Sequence, residues 1–86
     1  MKVELEAVVE GIECNINATL FDFGVVIRHR AYENEDEIEV LEGPEFKDIL
    51  VTDEDGNQWQ PRGHQLELVD DLLRDWWYLE IEENRL

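Results

Sequence analysis

Residues 2–20, KVELEAVVEGIECNINATL, decide the fold. In the first half, Val3, Leu5, Ala7 and Val9 alternate with Lys2, Glu4, Glu6 and Val8, the two-residue period of a β-strand. After Glu10 and Gly11 the alternation resumes, with Ile12, Cys14, Ile16, Ala18 and Leu20 separated by Glu13, Asn15, Asn17 and Thr19. Two such runs across a short glycine-containing turn predict an antiparallel hairpin with one apolar and one polar face. The apolar face needs a cover, which the rest of the chain has to supply.

Working outward, Gly24 separates the hairpin from a stretch that begins Val25-Val26-Ile27 and runs through Arg28, His29 and Arg30 to Tyr32. Its β-branched start predicts a third strand, with the cations on an exposed face. Glu33, Asn34, Glu35 and Asp36 read as a turn, and residues 37–41 alternate again, with Ile38 and Val40 facing one way. Gly43 and Pro44 end that fourth strand. Residues 48–52 carry Ile49 and Val51, and the run Asp53-Glu54-Asp55-Gly56-Asn57 has the chemistry of a hairpin loop leading to Gln58, Trp59 and Gln60.

Beyond Pro61-Arg62-Gly63 the period changes. Leu66, Val69, Leu72, Leu73, Trp76, Trp77 and Leu79 share one half of a helical wheel, and Glu67, Asp71, Arg74, Asp75, Tyr78 and Glu82 the other, which predicts an amphipathic helix over 66–82. No Ser, Thr, Asp or Asn directly precedes Leu66, so Asp70 is an alternative cap for a shorter helix following a strand at 65–68. The expectation is therefore one α+β domain over residues 1–86: an antiparallel sheet of four to six short strands with one C-terminal helix packed on one face. Val3, Leu5, Ile12, Ile16, Leu20, Ile27, Val40, Val51, Leu73 and Trp76 are its expected core.

Charge is the unusual quantity. Among 86 residues, 23 acids stand against 7 Lys and Arg, a net charge of −16. Such a balance argues against direct binding of DNA or RNA, whose phosphates need clustered cations, and points to a basic partner. Self-repulsion of the carboxylates predicts a chain stabilised by salt and by mild acid. Apolar residues make up 43% of the chain, enough for a core, so this is no disordered acidic tail. No run approaches the roughly 20 apolar residues of a membrane span, and Lys2 and Glu4 stand where a signal peptide is apolar; a cytoplasmic protein away from membranes is expected.

Catalytic vocabulary is thin. The chain has no serine, no glycine-rich phosphate loop and no His-x-x-x-His pair. His29 lies between two arginines and His64 follows a Pro-Arg-Gly turn, neither at ligand spacing from another Cys or His. Cys14, the single cysteine, excludes an internal disulfide and reads as a buried thiol. Residues 53–57 look like the opening of a calcium loop, but the closing position falls on Arg62 or His64, so a hairpin turn is the better reading. No enzyme, cofactor or metal is expected.

Two binding readings remain. Glu33, Glu35, Asp36, Glu37, Glu39 and Glu42 put six acids in ten residues, and on a strand Glu35, Glu37 and Glu39 stand about 6.6 to 6.8 Å apart, near the spacing of successive phosphates. By the usual scaling the 23 acids average roughly one per 230 Å² of surface, against roughly one per 110 Å² on duplex DNA. Only local clustering makes such a surface DNA-like; solubility or salt adaptation is the plain alternative. The first reading is a binding protein that occupies a basic surface of a protein partner through this cluster, as a nucleic-acid mimic or inhibitor. The second is a structural or assembly protein forming homodimers through Trp76 and Trp77, because the helix's apolar arc is wider than the ~100° stripe one sheet face needs.

The hairpin pattern of residues 3–20, the turn VTDEDGN at 51–57 and the acidic helix around DDLL at 70–73 are together similar to small acidic, strand-rich proteins with a C-terminal amphipathic helix found among phage and prophage products. The resemblance spans the whole chain and implies an accessory protein that binds a host or viral factor.

Overall fold

The computed structural model describes residues 1–30, 36–83 and 85–86, and for residues 29, 30, 36 and 37 the backbone alone. In chain order the elements are β1 (Lys2–Val9), β2 (Ile12–Asp22), β3 (Val25–Arg30), β4 (Asp36–Glu42), β5 (Glu45–Asp53), β6 (Gln58–Trp59) and α1 (His64–Glu82). Glu10 and Gly11 both take positive φ, 51° and 81°, as a type I′ turn requires, and the twist of that turn matches the strands it joins. The predicted hairpin follows, with Val3 opposite Ala18 and Leu5 opposite Ile16. On the other side of β2 lies β5, with β6 beyond it, giving the antiparallel order β1-β2-β5-β6. One row of apolar side chains crosses all four strands: Leu5, Ile16, Val51 and Trp59.

The helix covers this face through a single row at four-residue spacing. Val69, Leu73, Trp77 and Ile81 are 0–5% exposed, and they close on Ile16, Leu20 and Val51, which are 0–1% exposed. Full burial of side chains of this kind is worth about 1.5–3 kcal/mol each. Leu68, Leu72 and Trp76 pack at the margins of the row.

Between β2 and β5, strands β3 and β4 form a two-stranded sheet of their own. The last β2–β5 pair is Asp22 with Glu45 and the first β3–β4 pair is Val25 with Glu42, so the four strands make one long ribbon folded near its middle. Gly24 allows the crease: its φ is 75°, and a Cβ there would lie 2.5 Å from the Glu42 carbonyl oxygen. The β3–β4 arm makes the molecule long, 49 × 22 × 22 Å.

The α+β architecture is as expected, with corrections in detail. Ile12, Ile27 and Val40 are 51%, 39% and 42% exposed rather than buried. Ile12 sits at the turn end of the first hairpin, and Ile27 lies on the side of the arm away from the helix. Trp77, at 3% exposed, takes the core position expected of Trp76, which is half-buried. The helix begins at His64, with no strand at 65–68, because the carbonyl of Gly63 accepts the N–H groups of Leu66 and Glu67; no side chain caps it. Strand β5 starts right after Pro44, since a bulge at Asp48 (φ 53°) absorbs one extra residue and lets Lys47 pair with Thr19. Residues 31–35, including the end of the expected third strand, lie outside the described residues.

Truncation should separate the two sides of the helix. Trp77→Ala is expected to cost about 3–5 kcal/mol and Leu79→Ala, at an exposed position, less than ~0.5 kcal/mol, both read from urea melts. Similar losses for the two would contradict this packing.

Candidate functional site: an acidic outer face

The arm has an inner and an outer side, and among its described side chains Arg28 stands on the inner one and Glu39 and Glu42 on the outer. On the inner side Val26 is opposite Val40 and Arg28 opposite Ile38, with Val26 and Ile38 packed against the core. Arg28 donates to the carbonyl oxygen of Ile81. The last turn of α1 has no basic residue of its own, so this guanidinium supplies the cation that a helix C-terminus favours. Arg28 thus stands on the helix side of the arm while remaining exposed, as expected for the cations of the third strand; the side chains of His29 and Arg30 are not among the described ones. One turn earlier, the Trp77 indole N–H donates to the Phe23 carbonyl oxygen at 2.9 Å, just before the crease.

The outer side carries Ile27 opposite Glu39 and Val25 opposite Glu42. Glu42 reaches that register because a bulge on β4, between the partners of Val25 and Val26, takes up Leu41. In the backbone register Glu37 is opposite His29 and Asp36 opposite Arg30. Of the six clustered acids, then, Glu39 and Glu42 stand exposed along one edge of the arm, and for Asp36 and Glu37 the backbone register alone is described. Glu33 and Glu35 lie outside the described residues. Trp77 is not at the surface with these acids, since its ring is in the core.

A second acidic area occupies the uncovered face of the four-stranded sheet, where β1 and β2 place Glu4, Glu6 and Glu13. Glu54 joins it beside the Cys14–Asp53 pair, and a shallow groove there is lined by Glu6, Val8, Glu13, Asn15, Thr52 and Glu54. A hydrogen bond with Glu13 raises the Glu54 carboxyl above its usual range, and the charges of Glu13 and Asp53 push the same way. The strand alternation of Glu4, Glu6 and Glu13 was the signal for this face, whereas the meeting with Glu54 depends on the β2–β5 register. Along the helix, Glu67, Asp71, Asp75 and Glu82 form a third exposed row. With 6282 Å² of surface, the acids are spread more thinly on average than the scaling for a compact chain gives.

The remaining candidates have local structural work. Asp53 accepts the N–H groups of Asp55 and Asn57 at 3.0 and 2.9 Å and so organises the hairpin loop itself. No group of three or more metal-ligating side chains occurs among the described residues. Cys14 is buried with its thiol on the Ala7 carbonyl, and desolvation raises its pKa, which suppresses the thiolate a nucleophile needs. His64 is exposed in the first helical turn, 3.8 Å from Glu67. Among the described residues no helix is long and apolar enough to cross a membrane. No protein-family model, curated protein or solved structure matches this chain.

The Glu13–Glu54 pair has a pH signature. Because the folded chain holds this proton more tightly than the unfolded chain, its contribution favours folding at low pH and is lost as pH rises from 4.5, the ordinary glutamate value, through the raised one. Glu54→Gln, which keeps a donor for Glu13, should be more stable than wild type at pH 7 and closer to it at pH 4.5 in urea melts. A variant less stable than wild type at pH 7 would contradict the pairing.

Proposed function

We propose that this chain is a cytoplasmic, non-enzymatic binding protein that occupies a basic surface of a protein partner, as an accessory protein of a phage would, with the outer side of the arm as its contact. The supporting observation is the sorting of charge across β3 and β4: Arg28 is turned to the helix while Glu39 and Glu42 line the outer edge. A face that merely kept the protein soluble has no need to send its cation inward. Lys and Arg on the partner meet carboxylates already held in strand register, and the net charge of −16 steers the encounter at long range. The nucleic-acid site of an enzyme or regulator is one surface of this kind. Self-association through the aromatic helix is less well supported, because Trp77 is spent in the core of its own chain.

Reversal of charge tests the proposal. Glu39→Lys with Glu42→Lys should weaken binding of an oligolysine peptide at least threefold in 50 mM salt and flatten its salt dependence. Stability should stay within ~0.5 kcal/mol per exposed substitution. Glu4→Lys with Glu6→Lys, on the sheet's uncovered face, should have the smaller effect. Equal effects from the two pairs would mean a diffuse charge and no particular face, and would sink the assignment.

A further inference from the structure

Strand β1 ends its sheet, and among the described residues nothing pairs with its outer edge. Met1 and Leu20 exchange both backbone hydrogen bonds: the Leu20 N–H donates to the Met1 carbonyl at 2.8 Å and the Met1 ammonium to the Leu20 carbonyl at 3.1 Å. From that pair the antiparallel ladder alternates. Val3, Leu5, Ala7 and Val9 therefore bond to β2, and the N–H and C=O groups of Lys2, Glu4, Glu6 and Val8 point outward.

The helix overhangs this edge. Its backbone runs nearer β1 than any other strand. The residues that precede and follow each member of the buried row flank that row on opposite sides of the helix. Asp70 and Arg74, which follow Val69 and Leu73, lie toward β5, where the Arg74 guanidinium rests against Gly43. Leu66, on the same side, borders Ile49 and Pro61. The preceding set, Leu68, Leu72 and Trp76, thus lies toward β1 and past it, and all three are half-buried. On the strand beneath, Val3 and Val9 are buried while Leu5 and Ala7 between them are only partly covered. Outward backbone groups, half-covered apolar side chains and an apolar overhang together make a ledge along β1. On the other face of the same strand Glu4 and Glu6 are exposed.

We propose that an extended segment of a partner adds to this edge as a further strand, its apolar side chains seated under Leu68, Leu72 and Trp76 and the alternate ones, Lys or Arg, beside Glu4 and Glu6. In such an addition main-chain hydrogen bonds supply affinity and the alternate side chains supply specificity. The edge is a second contact surface, on β1 rather than on the arm, and does not depend on the reading of the arm. Charge complementarity decides between occupants. A second copy joined edge to edge by a two-fold axis, with its apolar residues on the helix side, places Glu4 across from Glu6 or Glu6 across from its own copy in the registers of fullest overlap. Like charges directly opposite one another destabilise a strand pair, and each chain brings a net charge of −16. Carboxylates on this edge thus deter a second copy and admit a cationic strand.

Two peptides of the same Val and Lys content test it, one alternating the two residues and one holding them in separate blocks. Wild type should bind the alternating peptide about tenfold more tightly at 150 mM salt, because only alternation puts Val and Lys on opposite sides of an added strand. Glu6→Pro removes an N–H that points away from β2 and leaves the β1–β2 ladder whole; Glu6→Gln removes the same charge and keeps the N–H. The proline variant should bind the alternating peptide about fivefold more weakly than the glutamine variant, the worth of one hydrogen bond. N-methylation of alternate peptide amides gives the same readout on the wild-type chain should the proline variant fail to fold: one set of methyl groups should abolish binding and the other should leave it intact. Equal affinity of the alternating and block peptides would overturn the proposal. So would equal binding by the proline and glutamine variants, or equal affinity of the two methylated peptides. A wild-type dimer at 150 mM salt that Glu6→Pro dissociates would make a second copy the occupant and overturn it too.

Discussion

One row of side chains, Val69, Leu73, Trp77 and Ile81, holds the molecule together by closing two surfaces at once. Its first half covers the apolar face of the four-stranded sheet, which would otherwise expose the Leu5, Ile16, Val51 row to water. Toward its C-terminal end the same helix meets the crease of the ribbon: the Trp77 indole bonds the Phe23 carbonyl, and the Ile81 carbonyl takes the Arg28 guanidinium. A buried indole N–H without an acceptor costs about 1–3 kcal/mol, so the position of Trp77 and the fold of the ribbon at Gly24 are tied to each other. Gly24 permits the crease and the helix determines which way it goes.

With the interior closed in this way, the charge has only the outside to occupy. Among the described residues none that is charged or polar is buried. Much of the acidic excess lies in separate exposed sets on the uncovered sheet face, the helix back and the outer arm. Arg74 pairs with Asp70 at 2.8 Å and Arg85 with Glu80 at 2.8 Å, which ties two of the few cations to acids within the helical region. Exposed carboxylates in water repel each other weakly at physiological salt, so the fold bears the net charge except where register forces contact. Glu13 and Glu54 are such a place, and their contact raises the Glu54 carboxyl above its usual range.

Alternation along residues 2–20 and helical spacing past residue 66 made the sheet and helix legible, since these periods follow from backbone geometry alone. What alternation does not say is which side of a strand will be covered. Ile27 shares a face with Val25, and that face is the outer one because Arg28 and Val26 take the helix; the decision is made by a residue 53 positions away, Ile81. The choice between Trp76 and Trp77 has the same origin, as a half-circle of apolar residues leaves the buried seam free to lie on either side until the sheet fixes it. The bulges at Asp48 and Leu41 shift register by one residue and leave no compositional mark beyond an Asp that tolerates positive φ. Of the site, the acidic density was plain in the sequence. Its placement on one edge of the arm needed the cross-strand register.

That the helix determines the geometry of the arm is best tested by amide hydrogen exchange on wild type and Trp77→Phe, which keeps an aromatic ring but removes the N–H that bonds Phe23. Protection in β3 and β4 should fall further than protection in β1 and β2, because the arm loses a tether that the first hairpin does not use. Equal losses in all four strands would mean that the indole contributes only general stability, and unchanged protection in β3 and β4 would mean that the arm is held without it; either result would contradict a helix that sets the arm's geometry.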